Sequence, residues 1–276
     1  MAGIHRPQRQ PQLRREGARD ARKSAHREAR IHLFGGPYVC IDGVAYQVPE
    51  GSKRLLAFMA LRQRRVERRH AAGVLWPVGG DNRAAGNLRS ALWRLRGAGI
   101  DIIECDKWSL QLAEDVQVDL IEVNEWADRL ISGQAINGDL TIIPARVEAL
   151  ELLPGWYDDW TTLERERLRQ RVLHALEALS REFRRRGRHA EAVEAALAAV
   201  NSEPLRESAQ RVLVEAHLGE CNWVEAERAF ISYRDALARE LGVSPSRDLN
   251  ALVYDSAPTD DHDRNAPFLR AATASG

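Results

Sequence analysis

The chain has only three cysteines, Cys40, Cys105 and Cys221. They are widely spaced, with no CxxC and no Cys/His ligand pattern, so neither a disulfide framework nor a zinc site is indicated, and a reducing compartment fits. No apolar run approaches the roughly 20 residues that span a bilayer, and the N-terminus lacks the apolar stretch of a secretory signal. A cytoplasmic protein with no membrane association is expected. There is also no GxxxxGK[ST], HExxH or GxSxG string, and the eight histidines are scattered. Nothing therefore assembles a nucleophile, a base and an oxyanion site. An enzyme, a cofactor and a metal are all unexpected.

Net charge is lacking too, since 40 Lys/Arg balance 40 Asp/Glu over 276 residues. The balance conceals an uneven distribution. Residues 1–30 carry nine basic residues against three acids, residues 31–115 twelve against nine, and residues 116–276 nineteen against twenty-eight. Residues 51–96 alone hold eleven basic residues and two acids. A basic front on an acidic back suits DNA binding by one part and protein contact by the other. With 44% hydrophobic residues, the chain can support one or two packed domains.

Residues 1–29 are rich in Arg and Gln and lack apolar periodicity, which reads as a disordered basic tail. From Ile31 the pattern changes to short β-prone pieces, IHLFGG, PYVCI and VAYQV, with an Asp42-Gly43 hairpin turn. Three helices are expected next, at about 52–63, 68–75 and 82–97. Asp81 or Asn82 would cap the third, and Gly97 and Gly99 would stop it. Gly73 inside the second helix costs about 1 kcal/mol if that helix is regular. IIEC and WSLQLA then form a hairpin around Asp106-Lys107. Sheet, three helices and a terminal hairpin describe a winged helix.

The third helix carries the functional signal. On a helical wheel Leu88, Ala91, Leu92 and Leu95 share about a quarter of the circumference, while Asn82, Arg83, Arg89, Ser90, Trp93 and Arg94 lie opposite. Guanidinium forks, a hydroxyl and an amide are the groups that read base edges and hold phosphates. A plain solvated face is the competing reading. For Trp93, a lid over the core competes with contact to a thymine methyl or sugar. Lys53 and Arg54, at the start of the first helix, are suited to phosphate. Lys107 at the wing tip would reach the minor groove or backbone, or be an ordinary turn lysine.

After Val118-Asp119 the pattern is wholly helical and repeats. Ala190-Glu191-Ala192 recurs as Val224-Glu225-Ala226, Ala195 as Ala229 and Leu179 as Leu213, each 34 residues apart, the tetratricopeptide period. Gly187 falls at the turn, Ala192 and Ala199 at close helix contacts, Pro204 at the repeat end, and Phe230 and Tyr233 in the second copy. Such arrays present a concave surface for partners. Trp156, Tyr157 and Trp160, beside Asp158 and Asp159, are either packing or a recognition patch. The polar segment after about Ala257 reads as disordered.

These strings, in this order, resemble the Streptomyces antibiotic regulatory protein (SARP) family of transcriptional activators. The resemblance runs from about Ile31 to Leu252. It rests on GGPYVCIDG, LWP at Leu75-Trp76-Pro77, NLRSALWRLR at Asn87 to Arg96, LLPGWYDDW at Leu152 to Trp160, LERERLRQ at Leu163 to Gln170, and ELGVSPS at Glu240 to Ser246. It implies an α+β winged helix of the response-regulator output type over residues 30–116, then an all-α tetratricopeptide-like bacterial transcriptional activation domain over 117–254, with tails at 1–29 and 255–276. The short stand-alone type is implied. So are activation of a secondary-metabolite (antibiotic) gene cluster, homodimers on direct repeats of double-stranded DNA at promoters, and contact with RNA polymerase holoenzyme. The candidate DNA-binding residues are Lys53, Arg54, Arg83, Asn87, Arg89, Ser90, Trp93, Arg94, Arg96 and Lys107. Val78, Gly79, Gly80, Asp81 and Asn82 occupy the position of the polymerase-contact loop. A repressor of the same architecture, and an adaptor whose winged helix no longer binds DNA, are the alternatives.

Overall fold

The computed structural model describes residues 28–140 and 151–255. The tails expected at either end lie outside these residues, apart from a few at their inner edges. The chain divides into two compact units between Leu120 and Ile121.

The first unit opens with β1 (Ala29–His32), β2 (Tyr38–Ile41) and β3 (Val44–Tyr46), an antiparallel meander. Asp42 and Gly43 both take positive φ at the expected turn. Three helices follow: α1 (Glu50–Arg62), α2 (Arg68–Leu75) and α3 (Gly80–Gly97). The wing is β5 (Ile103–Cys105) with β6 (Ser109–Leu112). Two short strands escape the hydropathy pattern. One is β4 (Val66–Glu67), which pairs with β6; the other is β7 (Val116–Val118), which runs parallel to β1. Pairing with β7 also explains why β1 starts at Ala29, two residues before its apolar pattern. Leu55, Leu56, Phe58, Met59, Ala71, Leu75, Leu88, Ala91 and Leu95 fill the core, and Ser52 donates to the Ala91 carbonyl at 2.9 Å, fastening α1 to α3.

Three details differ from the sequence reading. The start of α1 is at Glu50, behind Pro49, whose fixed φ suits a helix entrance. The cap of α3 is Gly79, with φ 106°, and neither Asp81 nor Asn82 caps it. A left-handed backbone there needs glycine, whereas a side-chain cap needs extended backbone. Gly73 sits on the exposed face of a regular α2, where a Cβ would meet nothing within 4 Å.

The second unit is helical. Helix α4 (Asp119–Ile131) is followed by a 3-10 turn at Asn137–Asp139, then α5 (Asp159–Arg185), α6 (His189–Ser202), α7 (Glu207–Gly219), α8 (Trp223–Leu241) and α9 (Arg247–Tyr254). Two helical hairpins, α5–α6 and α7–α8, follow the 34-residue period closely. Arg188 N donates to Phe183 O at one turn, and Asn222 N to His217 O at the other, both at 2.9 Å. Ala192, Ala195, Ala196 and Ala199 are fully buried on α6, Leu179 and Leu213 are buried at equivalent places, and Phe230 and Tyr233 are buried on α8. Buried alanines allow the helices to approach closely, which is why small residues recur at that register.

The turn aromatics divide. Trp156 and Trp160 pack edge to face with centroids 6.3 Å apart, while Tyr157 is 87% exposed. Arg165 fixes this loop by donating to the carbonyls of Leu152, Leu153 and Trp156 at 2.8, 2.7 and 3.1 Å.

Candidate nucleic-acid interface

Helix α3 separates its faces as its sequence implies. Ala84, Leu88, Ala91, Leu92 and Leu95 are buried; Asn82, Arg83, Arg89, Ser90, Trp93 and Arg94 are exposed, and Asn87 is half-buried. Trp93 is 74% exposed, so it is not a lid over the core. Among the described residues, Arg83, Arg89 and Arg94 have no carboxylate partner. Their charge is thus available to an outside anion. Many arginines of the second unit, in contrast, pair along their own helices, as in Arg167–Glu164, Arg169–Glu166 and Arg228–Glu225.

The remaining candidates are arranged around this face. Arg94 reaches back over the first turn of α1, where a Cβ at Gly51 would fall 2.7 Å from its Nη1. That brings the basic end of α3 beside the α1 N-terminus. Lys53 there is held by Glu50 at 2.7 Å, and Arg54 is half-buried. Arg96 turns toward the wing, donating to Asp101 Oδ1 and to Cys105 Sγ at 3.2 Å each. Arg83 folds over Gly79. Val78 and Gly79, in the α2–α3 connection, and Gly80, Asp81 and Asn82, in the first turn of α3, are all exposed, so only the first two of the five expected loop residues lie outside the helix; Arg69 on α2 pairs with Asp81 at 3.0 Å.

Lys107 is exposed at the wing tip with its Nζ 4.8 Å from the ring centroid of Trp108, which is itself 70% exposed. The β-prone segment WSLQLA places Trp108 at the head of a strand. Strand β6 begins only at Ser109. Asp106 closes the turn first, its Oδ1 accepting from the amides of Trp108 and Ser109 at 2.7 Å each. Those two amides, and then the Ser109 hydroxyl, hold the Asp106 carboxyl down at about 2. Arg65 pairs with the same carboxylate and also donates to Ser109 Oγ at 2.6 Å. The remaining signal in the sequence was an Asp two residues before the Trp, the spacing of an Asx turn.

Between α2, the N-terminal half of α3 and the wing lies a groove of about 630 Å³, bordered by Arg68, Arg69, Arg89, Lys107 and Trp108. Glu67 and Asp81 are the acids on it. Such a surface, basic and flanked by a helix with unpaired guanidinium groups, suits a polyanion.

Residues 146–254 match the family described as the bacterial transcriptional activator domain. No curated protein matches the chain in sequence. In fold, the chain is similar to Mycobacterium tuberculosis EmbR, solved in complex with a low-affinity phosphopeptide, with a TM-score of 0.62 and 20% identity. The match covers 85% of this chain and 67% of that one. Residues 146–254 thus match a bacterial transcriptional activator domain, and the unit before them folds as a winged helix, the order in which the SARP family that the sequence resembles combines the two.

Proposed function

We propose that the protein is a sequence-specific activator that uses α3 to read the major groove of promoter DNA and its helical unit to hold a protein partner. The observation that carries this is the exposed face of Arg89, Ser90, Trp93 and Arg94 on a helix whose opposite face is buried. A helix fits the major groove, and an arginine there donates two bonds to the O6 and N7 acceptors of guanine. Lys53, Arg54, Arg83, Asn87, Arg96 and Lys107 supply phosphate and flanking contacts. Homodimers on direct repeats, contact of the Val78 to Asn82 segment with RNA polymerase holoenzyme, control of an antibiotic gene cluster and a cytoplasmic, nucleoid-associated location complete the reading, on the strength of the family resemblance.

The test is occupancy of the purified protein on sheared DNA of its own host, repeated with Arg89→Ala/Arg94→Ala. Discrete peaks over direct repeats beside promoters, lost in the double variant, are expected. Uniform weak binding that the substitutions leave unchanged would remove base readout from the account.

A further inference from the structure

Gly73 stands in the interior of α2, although glycine weakens a helix there relative to alanine. Neither backbone nor packing accounts for it: its backbone is not left-handed, and a Cβ would meet nothing within 4 Å. What Gly73 lines instead is the groove of about 630 Å³ between α2, α3 and the wing. The floor continues through Ala72, Ala84 and Leu88, all buried, and the half-buried Ala85. Three alanines and a glycine thus keep the groove open down to apolar carbon.

The walls supply the rest of the chemistry. From the wing comes the exposed indole of Trp108, held in place because its N–H donates to Asp106 at 2.7 Å and its carbonyl accepts from Arg68 N at 2.8 Å. From α3 comes Arg89, with no carboxylate partner among the described residues, whereas Arg69 on the same groove is already paired with Asp81 at 3.0 Å. Lys107 adds a cation beside the indole, its Nζ 4.8 Å from the ring centroid. A DNA strand matches only half of this surface. Its phosphates suit the rim cations, but its bases are stacked inside the duplex and offer the apolar floor no flat face. A planar ring carrying an anionic group matches both halves, with the ring stacked on the indole and the anion taking two bonds from Arg89. We infer that the groove is a binding site for a small aromatic carboxylate. Its volume lies within the roughly 300–1,000 Å³ of small-molecule sites. Resting on the proposed function, the bound molecule also excludes DNA, because it claims the Arg89 guanidinium that α3 brings to the major groove. The groove is then an effector site built into the DNA-binding unit.

The test titrates the full chain with 2-naphthoate and follows it by NMR. The amide resonances of Gly73 and Ala85 and the indole N–H of Trp108 should move together and saturate, with a Kd on the order of a millimolar or tighter for a molecule of that size. Gly73→Leu fills the floor without altering a charge and should abolish the saturation. Trp108→Ala should weaken the probe roughly fivefold, the scale of one aromatic pair. Acetate at the same concentrations should leave the three resonances in place. No saturable shift, or a saturation that both variants leave unchanged, would overturn the site; an equal response to acetate would overturn the aromatic class. On a duplex that the unaltered protein enriches from a random pool, affinity should fall about twofold at a probe concentration equal to its Kd. An affinity that stays constant while the groove is occupied would overturn the exclusion of DNA. Failure to enrich any duplex would overturn the proposed function, and the titration would still decide the groove.

Discussion

Cys221 adopts φ 59° at the turn between α7 and α8, and Gly187, 34 residues earlier, adopts φ 72° at the equivalent turn. The two turns share their hydrogen bonds, so the repeat demands a left-handed residue at both places while the sequence supplies glycine at only one. A left-handed backbone costs an L-residue about 1–2 kcal/mol, part of which glycine returns as greater freedom in the unfolded chain. Cys221→Gly should accordingly stabilise the helical unit by about 0.5–1 kcal/mol, measured by urea unfolding of the two proteins under reducing conditions. The strain at Cys221 was not legible from composition, because cysteine carries no turn signal. It became visible only through the register of the repeat. A second residue, Asp106, sets the pH behaviour of the wing. Its pKa is depressed from 3.8 to about 2, so the ordering it provides is complete above its unfolded value and is lost as pH falls from about 4 through about 2. The amide resonances of Trp108 and Ser109 should titrate together with a midpoint of about 2; a midpoint at 3.8, the ordinary carboxylate value, would show that the turn is not held by Asp106.

Among the elements, α3 was the most legible, because an amphipathic helix writes burial and exposure directly into residue spacing. Its inward residues and its outward Arg89, Ser90, Trp93 and Arg94 lie where the 100° periodicity puts them. The capping of α3 was less so: Asp and Asn are common caps, but the chain enters this helix through Gly79 at φ 106°. Strands β4 and β7 were illegible for a different reason. Each is only two or three residues long and is stabilised by a partner distant in sequence, which no local pattern records. Between α5 and α7 the sequence was silent as well. There the buried carboxylate of Glu177 accepts from Arg206 Nε at 2.7 Å and from Ser208 Oγ at 2.6 Å, and Arg206 also donates to Gln170 at 2.7 Å. Glu177 is only 3% exposed and Arg206 only 16%. Removing one member of a buried pair leaves an uncompensated charge, so Glu177→Ala should cost about 3–5 kcal/mol. Arg206→Ala should cost a comparable amount, and the two substitutions together less than their sum. Thermal unfolding of the single and double variants measures the coupling; strict additivity would mean that the two side chains do not act as a pair.

At the scale of the whole molecule, the two units divide the charge between them. In the first unit Arg83, Arg89 and Arg94 have no carboxylate partner among the described residues, while the second unit neutralises many of its arginines along its own helices. A formal net charge of zero therefore accompanies a strongly polar molecule, in which one part is suited to a polyanion and the other to a protein partner. The order of winged helix and repeat was readable because turn residues, helical periodicity and the 34-residue offset are local or periodic signals. Trp108 was missed because its surroundings depend on contacts from α2 and on a turn that interrupts the strand pattern. The most direct test of the central claim is the ratio of affinities for an enriched duplex and for its scrambled sequence, at one salt concentration, with the unaltered protein and with Arg89→Ala/Arg94→Ala. The account predicts a ratio on the order of a thousand or more for the unaltered protein. It also predicts a collapse toward unity in the variant, since each lost arginine fork removes roughly 1–3 kcal/mol of discrimination. An unchanged ratio in a variant that remains folded would contradict the claim that α3 reads the sequence.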